Sequence, residues 1–475
     1  MGAQEGIEHV VVLMLENRSF DCMFGALYPG RDGFDGLKGG ETNSYTNSAG
    51  RSVDVTVWND KAMIPATATI PDPDPGEYFT DINTQLFNSP VGGPSDTPPP
   101  MSGFVADYMT QQPIDGRAPV ATSVMHYFTP LQVPVISALA QAFGVSDQWY
   151  ASAPCQTWPN RFFVHCGTCA GHVDNKNFSV PFAQPTIFGR LQDKGRSWRV
   201  YYHDIPQALT LGELLIDAPF RFRHFDDFLA DAAAGNLPNY SFIEPRYFTD
   251  GPLQQIPNDQ HPPHNVVYGE QLIAAVYNAV RAAPTWKKTL LIVTYDEHGG
   301  CFDHMPPPRA LPPDALRPDG FAFDRYGVRV PALIVSPYMP PKSIVRAAES
   351  GLPQEGPPYP FDHTSIIATL RKLFDLGDPL TARDAAAPDL LGALSLLDPA
   401  NDGPARIDAT PAQPSAGEVA RRAAAPGNSN QVNLCRAATE MPVAAATAGA
   451  APSKPASHSD AQPFVTNWVK AQLGR

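Results

Sequence analysis

Five short apolar runs, separated by amphipathic stretches, constrain the fold of this chain more than any other feature of its sequence. Each run is continuous rather than alternating, which is typical of a strand buried on both faces of a sheet. The runs span residues 10–15, 198–202, 240–243, 290–294 and 331–336. The stretches 269–283 and 364–374 instead repeat apolar residues at helical spacing. This alternation predicts an α/β fold whose mostly parallel sheet is flanked by helices.

Two regions interrupt the alternation. Residues from about 40 to 120 are rich in Pro, Asp, Thr and Asn, which predicts an insertion that forms a cap over the sheet edge. Residues 399–463 are rich in Ala, Pro and Ser, which predicts a mobile or surface-hugging tail. Residues 464–475 are amphipathic, which predicts a short helix packed on the main domain, 1–398. A helix that touches a membrane is the less favoured alternative, because the polar face is not basic.

The composition and net charge argue against some classes of binding partner. The 475 residues include 48 acidic and 34 basic side chains, a net charge of −14, which argues against nucleic acid or an anionic membrane as the main partner. The chain has no apolar stretch long enough to predict a transmembrane segment. Its first residues have no basic region or cleavage site typical of a signal peptide, so a cytoplasmic protein and a secreted one with its signal removed both stay open.

The six cysteines are too few for a disulfide framework at this length. Cys166 and Cys169 form one CxxC pair, but no second pair completes a zinc site. Buried or incidental thiols are therefore the favoured interpretation, and whether these two pair is left open.

Polar residues follow two of the predicted strands at the edge where ligands bind in open α/β sheets. Glu16 and Asn17 follow the first run, and Asp296 and Glu297 follow the fourth. These side chains offer only oxygen donors to a cation, which favours one hard divalent ion such as Ca²⁺, Mg²⁺ or Mn²⁺ over Zn²⁺. A helix cap with a surface ion pair is the alternative.

A second group of polar residues includes a candidate nucleophile. Thr157 precedes Pro159 and an apolar stretch, so it lies near a helix N-terminus, which favours binding of an anion such as phosphate. Thr157 is either a nucleophile or simply an N-cap, and Arg161 either clamps phosphate oxygens or pairs with a surface carboxylate. Five of the 12 histidines fall in the segments around the predicted strand ends: His261, His264, His298, His304 and His363.

Taken together, these segments resemble a known family. Six of them occur in family order: residues 16–21, 157–161, 243–245, 258–264, 295–300 and 362–365. The chain from about residue 7 to 376 resembles the phosphoesterase family that contains bacterial and plant phospholipases C and a bacterial acid phosphatase. The resemblance implies an alkaline-phosphatase-like α/β fold over a phosphoesterase catalytic domain, 1–398, and hydrolysis of phosphate esters at a single metal ion.

The resemblance also implies roles for individual residues. Glu16, Asn17, Asp296 and Glu297 are similar to the family's metal ligands, and Thr157 to its nucleophile, whose oxygen also binds the metal. For the remaining polar residues, the resemblance implies contacts with phosphate or with the leaving group. We expect His261 and His363 to be catalytic. We expect five further residues to bind substrate: Asn160, Arg161, His264, His304 and Glu77. Glu77 is a departure, because family phospholipases commonly have histidine after the Asp74-Pro75-Gly76 segment.

The expected function is therefore metal-dependent hydrolysis of phosphate esters through Thr157, of the phospholipase C type, on the headgroup phosphodiester of a phospholipid at a membrane surface. A broad-specificity acid phosphatase is the alternative, and a non-catalytic phosphate- or metal-binding module is a minor one. The aromatic residues of the predicted cap either contact lipid or form the cap's own core, which is favoured: Tyr78, Phe79, Phe87 and Phe104.

Overall fold

The computed structural model describes residues 6–61, 67–94, 96–114, 116–347, 359–441 and 457–473. The strands are β1 (His9–Leu15), β2 (Thr42–Thr46), β3 (Ser52–Thr56), β4 (Gly144–Ser146), β5 (Trp149–Tyr150), β6 (Trp198–Tyr202), β7 (Phe222–His224), β8 (Tyr240–Glu244), β9 (Thr289–Tyr295), β10 (Ala332–Val335), β11 (Ser343–Ile344) and β12 (Phe361–Asp362).

The described α-helices alternate with these strands through most of the chain. They are α1 (Phe20–Phe24), α2 (Phe79–Phe87), α3 (Phe104–Tyr108), α4 (Pro134–Ala142), α5 (Thr157–Cys166), α6 (Ile187–Asp193), α7 (Ala218–Arg221), α8 (Phe225–Ala234), α9 (Val266–Ala282), α10 (Thr364–Phe374), α11 (Ala382–Ala386), α12 (Ala416–Ala424), α13 (Ser429–Glu440) and α14 (His458–Leu473). Among them, none combines the length and apolar character needed to cross a bilayer.

Eight strands form the main sheet, in the order β11-β4-β10-β9-β1-β8-β6-β7. β1 lies between β9 and β8 and is parallel to both, and Val12 is in register with Ile292 and Phe242. Of the eight, β10 alone runs against its neighbours. The prediction of a mostly parallel sheet flanked by helices is confirmed, and the full burial of Val10 to Leu15 explains why this strand is continuously apolar.

The predicted cap region contains its own elements and core. β2 and β3 form an antiparallel hairpin, and α2 and α3 pack close to it. Phe104 is fully buried in this cluster, Phe79 packs against Phe321 at 4.9 Å, and Arg325 lies over the ring of Phe87 at 4.7 Å. Tyr78 is 44% exposed. Phe104 and Phe87 therefore belong to the cap's own core, as the favoured interpretation expects, whereas Phe79 packs against the main core.

The segment after residue 399 differs from the predicted mobile or surface-hugging tail. It contains two capped helices, because Ser415 accepts from the backbone N–H of Glu418 and Asn428 accepts from that of Gln431. The last helix begins at His458 rather than at 464, and Trp468 is buried against the main core. Residues 442–456 of the predicted tail, and 474–475, lie outside the described residues.

Candidate active site

The ends of β1 and β9 bring four predicted ligands together. Glu16 and Asn17 follow β1, Asp296 and Glu297 follow the adjacent parallel strand β9, and all four side chains are buried. Asn17 has a φ of 58°, in the left-handed region that asparagine adopts more readily than most residues. In this conformation its backbone N–H donates to Asp296 Oδ1 at 3.2 Å, which fixes one strand end against the other.

The Asn17 side chain joins the cap to the sheet edge. Its Nδ2 donates to Glu297 Oε1 at 2.7 Å and to Glu77 Oε1 at 2.6 Å. Its Oδ1 accepts a long hydrogen bond from Thr157 Oγ1 at 3.4 Å. The amide oxygen of Asn17 therefore faces the predicted nucleophile, while its amide nitrogen holds two carboxylates.

Thr157 is the first residue of α5 and is buried. The N-cap is Gln156, whose side chain makes no capping hydrogen bond. The alternative that Thr157 serves only as an N-cap is therefore wrong. Its hydroxyl lies at the positive end of the α5 dipole, a position that favours a negatively charged oxygen or a phosphate.

Arg161 has a different role from the two considered in the sequence. It is fully buried, and it neither faces open solvent nor pairs with a surface carboxylate. Its guanidinium lies 2.9 Å from Asp296 Oδ2, 3.5 Å from Glu16 Oε1 and 3.7 Å from Glu244 Oε2. Its position one turn after Thr157 places its charge among buried carboxylates that need a cation, and a contact with substrate stays a prediction.

Asn160 is also turned away from the expected substrate position. Its Nδ2 donates to the carbonyls of Cys155 at 2.8 Å and Ala153 at 3.2 Å, and its Oδ1 accepts from the Ala153 N–H at 3.1 Å. Through these bonds, both ends of the Asn160 amide contact the loop that leads into α5. Asn160 therefore fixes the start of the helix that carries Thr157, and its contact with substrate stays a prediction.

Glu77 lies in a small cluster with His261 and Asp74. His261 Nε2 is 3.2 Å from Glu77 Oε1, and His261 Nδ1 is 3.6 Å from Asp74 Oδ1. Burial by itself lowers the pKa of His261, but Asp74 and Glu77 together raise it well above its ordinary value. The carboxylate that replaces the expected histidine thus favours the charged form of a neighbouring histidine.

His264 lies beside His261, with 5.8 Å between their ring centroids, and His264 and His363 bond to different partners. His264 Nδ1 is 2.6 Å from Asp259 Oδ1. His363 Nε2 donates to the Asp296 carbonyl at 2.6 Å and its Nδ1 accepts from Trp149 at 3.3 Å. Both ring nitrogens of His363 therefore bond to protein groups in this structure, and its catalytic role stays a prediction.

His304 belongs to a second cluster. Its Nδ1 is 2.6 Å from Asp21 Oδ2, and Arg329 bridges Asp21 and Asp303 at 2.9 Å each. Within the described part of the chain, no hydrogen bond or ion pair joins this cluster to Glu16, Asp296 or Glu297. The role of His304 in substrate binding stays a prediction, and in this structure the side chain pairs with Asp21.

Two further residues of the site were given no role from the sequence. Glu244 ends β8, inside one of the family-like segments, and accepts from the N–H groups of Gln207 and Ala208 as well as facing Arg161. Asn430, on α13, donates from Nδ2 to Glu16 Oε1 at 2.6 Å. Its polar surroundings in the sequence give no signal of a site contact.

The donor set fits a hard divalent cation. Glu16 Oε2 is buried and makes no hydrogen bond, and Asn17 Oδ1 faces Thr157. Burial, followed by the charge of Asp296, raises the pKa of Glu16 well above its ordinary value, and burial followed by Glu77 does the same for Glu297. These carboxylates lack enough positive charge around them, and a cation would supply it.

Two other groups of side chains in the described chain bring three possible metal-ligand atoms close together. One group consists of Asp74, Glu77 and His261, and the other of Asp21, Asp303 and His304. In each, the three ligand atoms lie within 4.8 Å of one another. Both groups already contain a nearby counter-charge, His261 in the first and Arg329 in the second. The predicted set around Asn17 differs from both groups because it includes an amide oxygen and a hydroxyl.

Comparisons with known proteins agree with the sequence resemblance. The model of the phosphoesterase family matches residues 7–377. Non-specific phospholipase C1 of Arabidopsis thaliana is 38% identical over 402 residues, which cover 81% of this chain and 70% of that protein. Phospholipase C A of Mycobacterium tuberculosis is 28% identical over 454 residues, which cover 83% and 78%.

Among solved structures, a protein in the alkaline phosphatase superfamily from Vibrio parahaemolyticus overlaps with a TM-score of 0.31 and 14% identity, over 55% of this chain and 64% of that chain. The match to the family model ends before α12 and α13 begin.

Proposed function

This chain belongs to the phosphoesterase family and is a phosphoric ester hydrolase of the phospholipase C type, and from that premise we propose that Thr157 is its nucleophile and that one hard divalent cation completes the site. The observation that carries the proposal is the hydrogen bond of 3.4 Å between Thr157 Oγ1 and Asn17 Oδ1 at the edge of a buried carboxylate group. A threonine at a helix N-terminus has no structural need for such surroundings.

The cation would be held by Glu16, Asn17, Asp296 and Glu297, together with the oxygen of Thr157. When bound, it lowers the pKa of the threonine hydroxyl and draws electron density from the phosphoryl oxygens. Carboxylate, amide and hydroxyl oxygens favour Ca²⁺, Mg²⁺ or Mn²⁺ over Zn²⁺.

The chain's own residues carry the two halves of the reaction. Thr157 Oγ loses its proton to solvent and attacks phosphorus, and the bond from phosphorus to the leaving oxygen breaks. The leaving oxygen takes up a proton, and the phosphoryl group with its remaining ester substituent is transferred to the threonine. Water then attacks phosphorus, releases the phosphate product and returns the threonine hydroxyl. His261, held charged by Asp74 and Glu77, donates a hydrogen bond or a proton on the side of the cap.

We assign the phosphodiester of a phospholipid headgroup as the substrate class. Relatives named as phospholipases C support this assignment. Charge supports it as well, because a phosphodiester carries one negative charge and a phosphomonoester carries up to two. The carboxylate of Glu77, which stands where the family has histidine, makes the site less favourable for the more highly charged ester.

The test compares two chromogenic esters, nitrophenyl phosphorylcholine and nitrophenyl phosphate, each with and without chelator. We expect chelator-sensitive hydrolysis with a preference for the phosphorylcholine ester. Thr157→Ala should reduce turnover by at least about 10³-fold, whereas Thr157→Ser should keep much of it. Thr80→Ala, at an exposed position on α2, is the control and should match the wild type.

Each outcome has a distinct meaning. A preference for the monoester would assign the chain to the acid-phosphatase branch. Near-normal turnover in Thr157→Ala would show that the nucleophile is wrong, and hydrolysis that resists chelation would show that the cation is wrong.

A further inference from the structure

Helix α13 reaches the carboxylate group from a part of the chain that the family model does not match. Asn430, in its first turn, is 1% exposed. Its Nδ2 donates to Glu16 Oε1 at 2.6 Å, and its Oδ1 accepts from Trp158 Nε1 at 2.9 Å. One amide thus contacts both the residue after β1 and the residue next to Thr157.

The position of α13 does not depend on Asn430. Gln156 Nε2 donates to Ser429 Oγ at 2.9 Å, and Gln431 Nε2 donates to the Tyr247 carbonyl. Further along the helix, an Arg436 N–H donates to the Phe178 carbonyl at 3.1 Å. These bonds would keep the helix docked if the Asn430 amide were removed.

The two oxygens of Glu16 have different surroundings. Oε1 receives the Asn430 amide, while Oε2 is buried and makes no hydrogen bond. Arg161, the nearest cation, is 3.5 Å from Oε1 and so lies on the same side as Asn430. A hydrogen bond from a neutral amide to a carboxylate is short and directional, and here it fixes which oxygen remains available.

We propose that Asn430 is a positioning residue that orients Glu16 so that its free oxygen faces the divalent cation, and that it holds Trp158 and hence the start of α5 in place. This inference rests on the proposed function, since it takes Glu16 as a ligand. It makes the segment after the family match part of the active site. Groups that orient metal ligands commonly contribute 10–100-fold to metal affinity.

Two variants remove the amide in different ways, Asn430→Ala by truncation and Asn430→Leu at nearly constant volume. Asn433→Ala is the matched control, because Asn433 lies on the same helix and, among the described residues, bonds only within it, to the Ser429 carbonyl at 2.8 Å and to Arg436 at 3.1 Å. The cation is whichever of Ca²⁺, Mg²⁺ and Mn²⁺ best supports hydrolysis by the wild type. Its binding is measured directly by calorimetry, alongside kcat, KM and the melting temperature.

We expect both Asn430 variants to bind the cation about 10–100-fold more weakly. Excess cation should restore kcat, KM for the ester should stay constant, and Asn433→Ala should match the wild type. Unchanged affinity in the Asn430 variants would overturn the inference while leaving the proposed function intact. So would loss of folding in both variants, or a loss of affinity shared by Asn433→Ala, since either indicates a structural role. A wild-type chain that binds none of the three ions would overturn the proposed function and this inference together.

Discussion

The substitution Arg161→Met tests whether a buried carboxylate group is the organising feature of the site. Arg161 lies within 3.7 Å of carboxylate oxygens of Glu16, Glu244 and Asp296, and all four side chains have no solvent exposure. Methionine fills much of the same volume but supplies no charge. The three carboxylates then lose the guanidinium that now balances part of their burial.

The magnitude follows from the cost of leaving buried charges unpaired. Removing one partner of a buried ion pair destabilises a protein by about 3–5 kcal/mol. The control is Arg406→Met, because Arg406 pairs with Asp408 at a similar distance, 2.8 Å, but the two side chains are 74% and 81% exposed. An exposed pair contributes about 0–1 kcal/mol, so burial is the main difference between the two substitutions.

The effect should depend on pH in a defined direction. Burial already raises the pKa of Glu16, Glu244 and Asp296, and the Arg161 charge opposes that rise. Without Arg161 these pKa values rise further. The variant is therefore destabilised by the buried charged carboxylates at neutral pH, and this destabilisation decreases as the carboxylates are protonated. The stability gap to the wild type should be widest near pH 8 and should close as the pH falls toward 4.

Urea unfolding followed by tryptophan fluorescence at several pH values measures this gap. A loss in Arg161→Met no larger than in Arg406→Met would refute the argument. A gap of equal size at pH 4 and pH 8 would also refute it, because it would indicate lost packing rather than lost charge compensation.

Three further predictions concern the same site. Glu77→Gln removes one of the carboxylates that raise the pKa of His261, so the alkaline limb of the kcat/KM profile should move to lower pH, and an unchanged limb would exclude His261 from that limb. Asn160→Ala should lower the free energy of unfolding by about 1–3 kcal/mol with KM unchanged, because its bonds go to the loop of residues 153–156, and a large rise in KM would restore a substrate role. Chelation should lower the melting temperature, and a cation at 100 times its Kd should restore about 2.7 kcal/mol, whereas a melting temperature indifferent to both would contradict a bound ion in the folded state.

The sheet could be predicted because its central strands are buried on both faces. The runs at 10–15, 198–202 and 290–294 lie in β1, β6 and β9 with little or no change in their bounds. The hairpin of β2 and β3 could not be predicted in this way, since its residues are mostly polar and its pairing depends on long-range packing against the cap.

The convergence of Glu16, Asn17, Asp296 and Glu297 could be predicted, because residues that follow adjacent parallel strands meet at one edge of the sheet. The direction of each side chain could not. Asn160 and Arg161 both fall within one turn of Thr157, but Asn160 faces a loop, whereas Arg161 faces Glu16 and Asp296. Sequence spacing alone does not predict this difference. Asn430 could not be predicted at all, because its contact with Glu16 joins residues 414 positions apart through the docking of a polar helix.

The most direct test of the central claim is to trap the phosphoryl group on the nucleophile. The enzyme is mixed with its preferred ester, quenched in acid during turnover, digested and analysed by mass spectrometry. For a diester substrate we predict that Thr157, in the peptide that begins α5, carries the phosphoryl group with its remaining ester substituent (phosphorylcholine for the phosphorylcholine ester), and that Thr157→Ala carries none. Turnover that leaves this peptide unmodified at every quench time, or a phosphoryl group on another residue, would contradict the assignment of Thr157 as the nucleophile.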